Sequence, residues 1–344
     1  MPRVAIIGTG LIGASIGLRL RSSGALPDLE VVGYDRERDH QRRARTIGAL
    51  DREADSAAAA VAGAAVVILA VPALALRQLL EEIAPALVPG AVVTDTASTK
   101  GEVMVWAQQA LPPTVAFVGG HPMAGKTEAG PASAGAALFE GARWVIVPSP
   151  GASETAVETV RKLVEIMGAR TMFMDASEHD AYVAAISHLP LLAAHALFSL
   201  TRGSEAWPEL SLLAAGGFRD ATRLTGTEPN MAFDIIQTNR EQIVHWLTRY
   251  RAALRDLQQL IERAGSEEEL FRALAQANWD YSTFIEGAVG RTEVDEKSGT
   301  ALPSGDFARM MLGDAMTEKM RQIGDANEAR LAELERRQRL TRRE

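Results

Sequence analysis

The sequence predicts an α/β protein with an N-terminal, doubly wound parallel sheet of Rossmann type and an all-helical dimerisation domain after it. Three observations carry this. Short apolar runs alternate with helical stretches up to about residue 150. A glycine-rich turn, Gly8-Thr9-Gly10-Leu11-Ile12-Gly13, separates the first such run from the first helical stretch. After Asp175 the texture becomes almost wholly helical.

Val4–Ile7 is a short apolar run closed by Gly8, as a parallel strand buried on both faces should be. Gly13–Ser23 reads as a helix with small residues on its inner face, and Leu29–Tyr34 as the next strand, finishing at Asp35. Further strands are expected at Ala65–Ala70, Ala91–Thr94, Thr114–Val118 and Trp144–Val147, with helical periodicity over Ala73–Leu87 and Lys100–Leu111. Pro148-Ser149-Pro150-Gly151 is a break. A helix over Glu154–Met167 and a strand over Thr171–Met174 still extend the first domain to residues 1–175.

The second domain, 176–290, is helical and includes the apolar stretch Val183–Leu200. His188, Pro190 and His195 interrupt that stretch and speak against a membrane span. A helix apolar on most faces is buried, in its own domain or against a partner chain, and a homodimer is therefore expected. Arg291–Asp306 is polar and turn-rich; residues 291–344 read as a linker and a C-terminal helical extension.

Composition narrows the classes. A chain of 344 residues, 47% hydrophobic and 23% charged, suits a soluble protein of two domains. A net charge of −8 argues against a nucleic-acid partner. With no cysteine, disulfides, thiolate catalysis and Cys-based metal sites are excluded, and no metal is expected. Glycines at 8, 10 and 13 interrupt the first apolar run too early for a signal peptide or membrane anchor, so a cytoplasmic protein is expected.

The glycine turn follows a strand and opens a helix, the context that gives G-x-G-x-x-G its meaning. Gly8 permits the tight turn, Gly10 lets a pyrophosphate approach the backbone, and Gly13 allows close helix–strand packing. Leu11 and Ile12 open the helix whose free N–H groups would face the phosphates. Asp35 stands where a carboxylate accepts from a ribose 2′-hydroxyl and repels a 2′-phosphate, which favours NAD over NADP; Arg36 beside it works in the other direction. Val71-Pro72 ends the next apolar run and either borders a ribose or is an ordinary turn.

Residues 119–130 bear on the chemistry. They place His121 in a Gly- and Pro-bounded loop after Val115–Val118. An imidazole there can accept a proton as a substrate hydroxyl is oxidised, or can merely satisfy backbone groups. Asp95-Thr96-Ala97-Ser98-Thr99-Lys100-Gly101 follows another strand end. Ser98 reads as a polar orienter of substrate or nicotinamide, while Lys100 and Asp95 cap the next helix and pair with each other.

These three segments, with Ser187-His188-Leu189-Pro190 and Phe218-Arg219-Asp220-Ala221-Thr222-Arg223, resemble in order the prephenate dehydrogenase family over roughly residues 3–285. The resemblance implies NAD-dependent oxidative decarboxylation of prephenate to 4-hydroxyphenylpyruvate, for tyrosine biosynthesis. It implies that His121 accepts the ring-hydroxyl proton, that Ser98 hydrogen-bonds the same hydroxyl, and that Arg223 holds a substrate carboxylate. Ser187 and His188 fall in the substrate-binding motif, His188 also having a structural reading. His179, His195 and His245 have no motif and read as packing or surface residues.

Departures from the family pattern fall on the substrate side. Leu191 stands where a second histidine is common, Thr127 where a polar residue such as glutamate is usual, and Ala232 where a tryptophan is frequent, which would open space. Arogenate or dual-specificity dehydrogenation therefore remains an alternative, as does a non-catalytic NAD-binding scaffold. A β-hydroxyacid dehydrogenase would rely on a lysine in the helical domain, and none lies between Lys162 and Lys297.

Overall fold

The computed structural model describes residues 2–24, 28–125 and 130–286. In chain order the strands are β1 (Arg3–Ile7), β2 (Glu30–Tyr34), β3 (Arg52–Glu53), β4 (Val66–Leu69), β5 (Val92–Asp95), β6 (Ala116–Pro122), β7 (Arg143–Pro148) and β8 (Arg170–Phe173). They form one sheet in the order β3-β2-β1-β4-β5-β6-β7-β8. From β3 to β6 every neighbour is parallel; β7 runs antiparallel to β6, and β8 parallel to β7. The chain steps from β1 outward to β3 and then crosses to β4. That reversal opens a crevice at the carboxyl ends of β1 and β4, where open α/β sheets bind ligands.

The helices α1 (Leu11–Ser22), α2 (Arg38–Thr46), α3 (Ala57–Val61), α4 (Ala75–Ile83), α5 (Gly101–Ala110) and α6 (Glu154–Ile166) connect these strands. Strand residues alternate between two cores. Val67, Leu69 and Val93 pack with Leu76, Leu80, Ile83 and Trp106 of α4 and α5. Ile6, Ile68 and Ile146 pack with Ile16, Leu20, Val160 and Val164 of α1 and α6. The sequence does not announce α2, β3 or α3. The first is highly charged, the second two residues long, and the third an alanine run whose start is fixed by the Ser56 hydroxyl accepting from Ala59 N at 3.1 Å.

One expectation is overturned at His121, which lies in β6 and not in a loop. The strand continues past Val118 because β7 supplies an antiparallel ladder, with His121 opposite Val145 and Pro122 opposite Trp144. The glycines before it serve packing. A Cβ on Gly120 would stand 2.6 Å from the Asp95 carbonyl oxygen, and one on Gly119 would stand 2.9 Å from Met104 Sδ and 3.2 Å from Lys100 Cδ.

After the sheet, α7 (Ala176–Val183) starts with the Asp175 carboxylate accepting from Glu178 N at 2.8 Å. It passes through a π turn, Ala184–His188, into α8 (Leu189–Arg202). Pro190 does not break this helix, contrary to the sequence reading; Ala176–Arg202 is continuous, with the length and apolar composition of a membrane span. The widened turn, closed by Leu189 N donating to Ala184 O, lets Pro190 fall in the first turn of α8, where its missing N–H is not needed. Then come α9 (Trp207–Leu213), α10 (Gly216–Thr222), α11 (Pro229–Thr238) and α12 (Arg240–Glu262). The sheet and all helices to Ala264 form one compact unit; a second begins at Gly265 and includes α13 (Glu267–Ile285). The expected linker and extension at 291–344 lie outside the described residues, as does Thr127.

Candidate functional site

The glycine turn is shaped by three different contacts. Gly8 has φ +90°, and a Cβ there would meet the Ala70 carbonyl oxygen at 2.3 Å. On Gly13 a Cβ would meet the Gly8 carbonyl oxygen at 1.9 Å, so α1 packs directly under the turn. Gly10 has nothing within 4 Å on that side and borders a cavity of ≈ 470 Å³. Gly8, Asp35, Arg36, Val71 and Pro72 also line this cavity. Leu11 and Ile12 open α1, whose first turn has no acidic side chain to compete with an anion at its N–H groups. Asp35 rims the cavity and ties the turn down. Its Oδ2 accepts from Thr9 N at 2.6 Å and from the Thr9 hydroxyl at 3.2 Å, and its Oδ1 accepts from Glu37 N at 2.9 Å. The Arg36 side chain is 91% exposed, with its Nε 3.8 Å from Glu37.

A second group of side chains gathers where β5, β6 and α7 meet. Asp95 and Lys100 are both fully buried and ion-paired. Asp95 also accepts from Ala97 N at 2.9 Å and Gly120 N at 3.1 Å. Burial nevertheless pushes the Lys100 pKa below its ordinary value, with Asp95 opposing. The pairing expected between these two is present, but the helix cap is not theirs. Asp180, from α7, accepts from Lys100 N at 2.8 Å and Gly101 N at 2.7 Å at the start of α5.

His121 is buried, and its Nδ1 lies 2.8 Å from His179 Nε2. His179 Nδ1 in turn lies 2.7 Å from Asp180 Oδ1. Burial, then the proximity of His179, Lys100 and His188, holds His121 well below the usual imidazole range, so it is neutral. His188 is fully buried; its Nδ1 is 3.2 Å from Asn239 Nδ2, and its Nε2 has no partner among the described residues. Burial lowers its pKa to about 4, against the opposing charge of Asp180.

The remaining expected residues are more open. Ser98 is half-buried between β5 and α5 and makes no hydrogen bond to the described residues. Ser187 is exposed, although it adjoins buried His188 in the π turn. Arg223 is exposed at the head of a short turn, Arg223–Gly226, that packs on α8. No ion pair joins it to Asp220 or to any other described residue, which leaves the guanidinium open to an anion.

Sequence reasoning missed His179 and Asp180, and with them the way the helices grip the sheet. Asn239 Nδ2 donates to Asp180 O at 2.8 Å. Leu74 N donates to Asp234 Oδ2 at 3.0 Å, and the hydroxyls of Thr99 and Thr238 are 2.8 Å apart. The one local signal was the adjacency of His179 and Asp180 near a helix start. Their partners lie 58 and 80 residues away in sequence.

Residues 16–173 match the nucleotide-binding domain of prephenate dehydrogenases, and residues 175–276 match their dimerization domain. The chain belongs to the prephenate dehydrogenase family. It is accordingly an NAD-dependent oxidoreductase. It is 35% identical over 280 residues to the prephenate dehydrogenase of Bacillus subtilis, covering 81% of this chain and 74% of that one. It is 33% identical over 260 residues to the cyclohexadienyl dehydrogenase of Zymomonas mobilis, covering 75% and 88%. Among solved structures, the prephenate dehydrogenase of A. aeolicus, in complex with hydroxyphenyl propionate and NAD+, superposes with a TM-score of 0.76. There the identity is 28% and the coverage 83% of this chain and 98% of that one.

Within this family member, two of the departures meet. Leu191 and Ala232 belong to one buried cluster with Ile235 and Ile243. Ala232 is itself buried, and Leu192 and Leu224 pack against this cluster.

Proposed function

We propose that the chain oxidises and decarboxylates prephenate with NAD+, giving 4-hydroxyphenylpyruvate for tyrosine biosynthesis. The observation that carries this reading is His121, buried, held neutral and tied through Nδ1, so that Nε2 is the nitrogen left for a substrate hydroxyl. Bound NAD+ supplies the hydride acceptor. The site fits it: an open backbone at Gly10, the N-terminus of α1 for phosphates and Asp35 for a ribose.

The chain's own residues have little chemistry left to do, because aromatisation drives loss of carbon dioxide. Arg223 offers an unpaired guanidinium to a substrate carboxylate, a match that a planar fork makes bidentately. His121 takes the ring-hydroxyl proton and Ser98 orients that hydroxyl. Ser187 and His188 bound the substrate side, His188 through an unpartnered Nε2. The apolar cluster around Leu191 lies one helical turn beyond His188. The second reading is arogenate or dual specificity, since that cluster offers no polar group that would select a keto over an amino side chain. Resemblance to a cyclohexadienyl dehydrogenase points the same way.

Purified protein assayed with prephenate and arogenate, each with NAD+ and NADP+, tests the reading. Turnover of neither substrate removes it. His121→Asn is expected to keep NAD+ binding and to lose ~10²–10⁴ in kcat, the usual contribution of a general base.

A homodimer in the cytoplasm completes the proposal. Leu200, Leu212 and Leu213 are 76%, 86% and 80% exposed in the isolated chain, an apolar surface suited to a partner helix. Sedimentation should give twice the mass of 36.9 kDa; a monomer at micromolar concentration would refute the dimer.

A further inference from the structure

Three groups stand in line: Asp180 Oδ1, 2.7 Å from His179 Nδ1, and His179 Nε2, 2.8 Å from His121 Nδ1. Their proton positions follow from one anchor. Asp180 accepts from two backbone N–H groups, Lys100 at 2.8 Å and Gly101 at 2.7 Å, so its carboxylate is held as an acceptor. His179 must therefore carry its proton on Nδ1. A neutral His179 then presents a lone pair at Nε2, and His121 must donate from Nδ1. That leaves His121 with a lone pair at Nε2, the form a proton acceptor needs. His179 is fully buried, and its ring meets that of His121 edge-on at 74°, so neither ring is free to swing away. The other charged or titratable groups around His121 are Lys100, whose charge is turned to Asp95, and neutral His188.

We propose that His179 is a positioning residue, anchored by Asp180, that fixes His121 in its Nδ1–H form and receives that proton when His121 is protonated at Nε2. The proposal rests on the reading of His121 as proton acceptor. The balance of the reaction gives the relay its use. The hydroxyl O–H bond breaks and its proton goes to His121 Nε2, while the Nδ1 proton moves to His179 Nε2. The hydride leaves the ring carbon for the nicotinamide, and the electron pair of the broken carbon–carboxylate bond enters the ring. The oxygen ends as a phenol, so the proton must come back. Reactants and products differ by no net proton. A relay that parks the positive charge on His179, next to the Asp180 carboxylate and out of water, lends the proton without losing it to solvent.

The test compares His179→Leu, His179→Gln and His121→Asn in the full-length protein, with NAD+ and the ring substrate it turns over. Leucine removes the acceptor; glutamine keeps one near the position of Nε2. His179→Leu is expected to lower kcat by ~10², within the range of general-base catalysis, with the KM for NAD+ unchanged. His179→Gln should recover at least about tenfold of the loss. Nitrogen-15 spectra of histidine-labelled wild-type protein should show His121 as the Nδ1–H tautomer, a readout that needs no activity. Unchanged kcat in a folded His179→Leu, or an Nε2–H tautomer on His121, overturns the relay. If His121→Asn turns over like wild type, the reading of His121 itself fails; if only the His179 variants are silent, the relay alone does.

Discussion

The two halves of the site are built on opposite principles. Around the glycine turn, backbone does the work: a positive φ, two close approaches and a helix start enclose an open cavity, and the nearest cation, Arg36, is almost wholly in solvent. Around His121, side chains do it. Asp95, Lys100, His121, His179, Asp180 and His188 are all buried, and hydrogen bonds link the first five across β5, β6 and α7. A dinucleotide brings its own charge and needs a shaped, wet groove. Proton transfer needs fixed tautomers and excluded water, which means ionisable groups taken out of solvent and paired.

The sharpest way to break this contrast is to cut a pair on the buried side. Lys100→Met leaves the Asp95 carboxylate buried with only Ala97 N and Gly120 N as donors. Leaving one charge of a buried pair without its partner costs about 3–5 kcal/mol, so the denaturant midpoint should fall steeply. Adding Asp95→Asn to Lys100→Met should recover part of that loss, because burial already holds the Lys100 pKa down and the pair itself is a small net gain. If the single variant is as stable as wild type, the buried half is no more tightly coupled than the surface.

The same contrast explains what could be read in the sequence. Gly8, Gly10, Gly13 and Asp35 sit within one strand–turn–helix–strand segment, so their spacing is a local property and their geometry follows from it. His121 was visible, but its strand was not, because the ladder that extends β6 comes from β7, with Trp144 and Val145 more than twenty residues on. His179 reads from the sequence as a packing or surface residue, and its contact with His121 was out of sight for the same reason. Nothing near it in sequence says that its Nε2 will meet His121, and only the fold brings α7 against β6. Pro190 was read as a breaker because local rules count its missing N–H; the π turn before it makes that absence harmless.

A milder perturbation is acid. The folded pKa of His188 is about 4, below the ~6.5 of an unfolded imidazole, so the native state favours the neutral ring. Stability from this group is fully present above pH ~6.5 and is lost as pH falls toward 4. The loss amounts to about 2 kcal/mol at pH ~5. His121 shifts in the same direction and adds to it. Denaturant midpoints at neutral pH and at pH ~5 should converge in His188→Asn by its share. Equal acid sensitivity in wild type and variant would mean that His188 is not held neutral by its surroundings.

The smallest expected effect lies on the open half, and it tests whether that half works through charge at all. Asp35 faces the cavity with a carboxylate already engaged by Thr9 N and Glu37 N. Asp35→Asn keeps an oxygen for one of those donors and removes the negative charge that repels a 2′-phosphate. Arg36 is exposed and its contact to Glu37 is long, so it is free to turn toward such a phosphate. We expect the ratio of kcat/KM for NADP+ over NAD+ to rise about tenfold, or ~1.4 kcal/mol, with kcat for NAD+ little changed. A ratio that stays put would shift the discrimination to the neighbouring carboxylate of Glu37, which also lines the cavity and keeps its charge in this variant. A drop in kcat would show instead that Asp35 matters through its grip on the glycine turn, making the open half depend on a side chain after all.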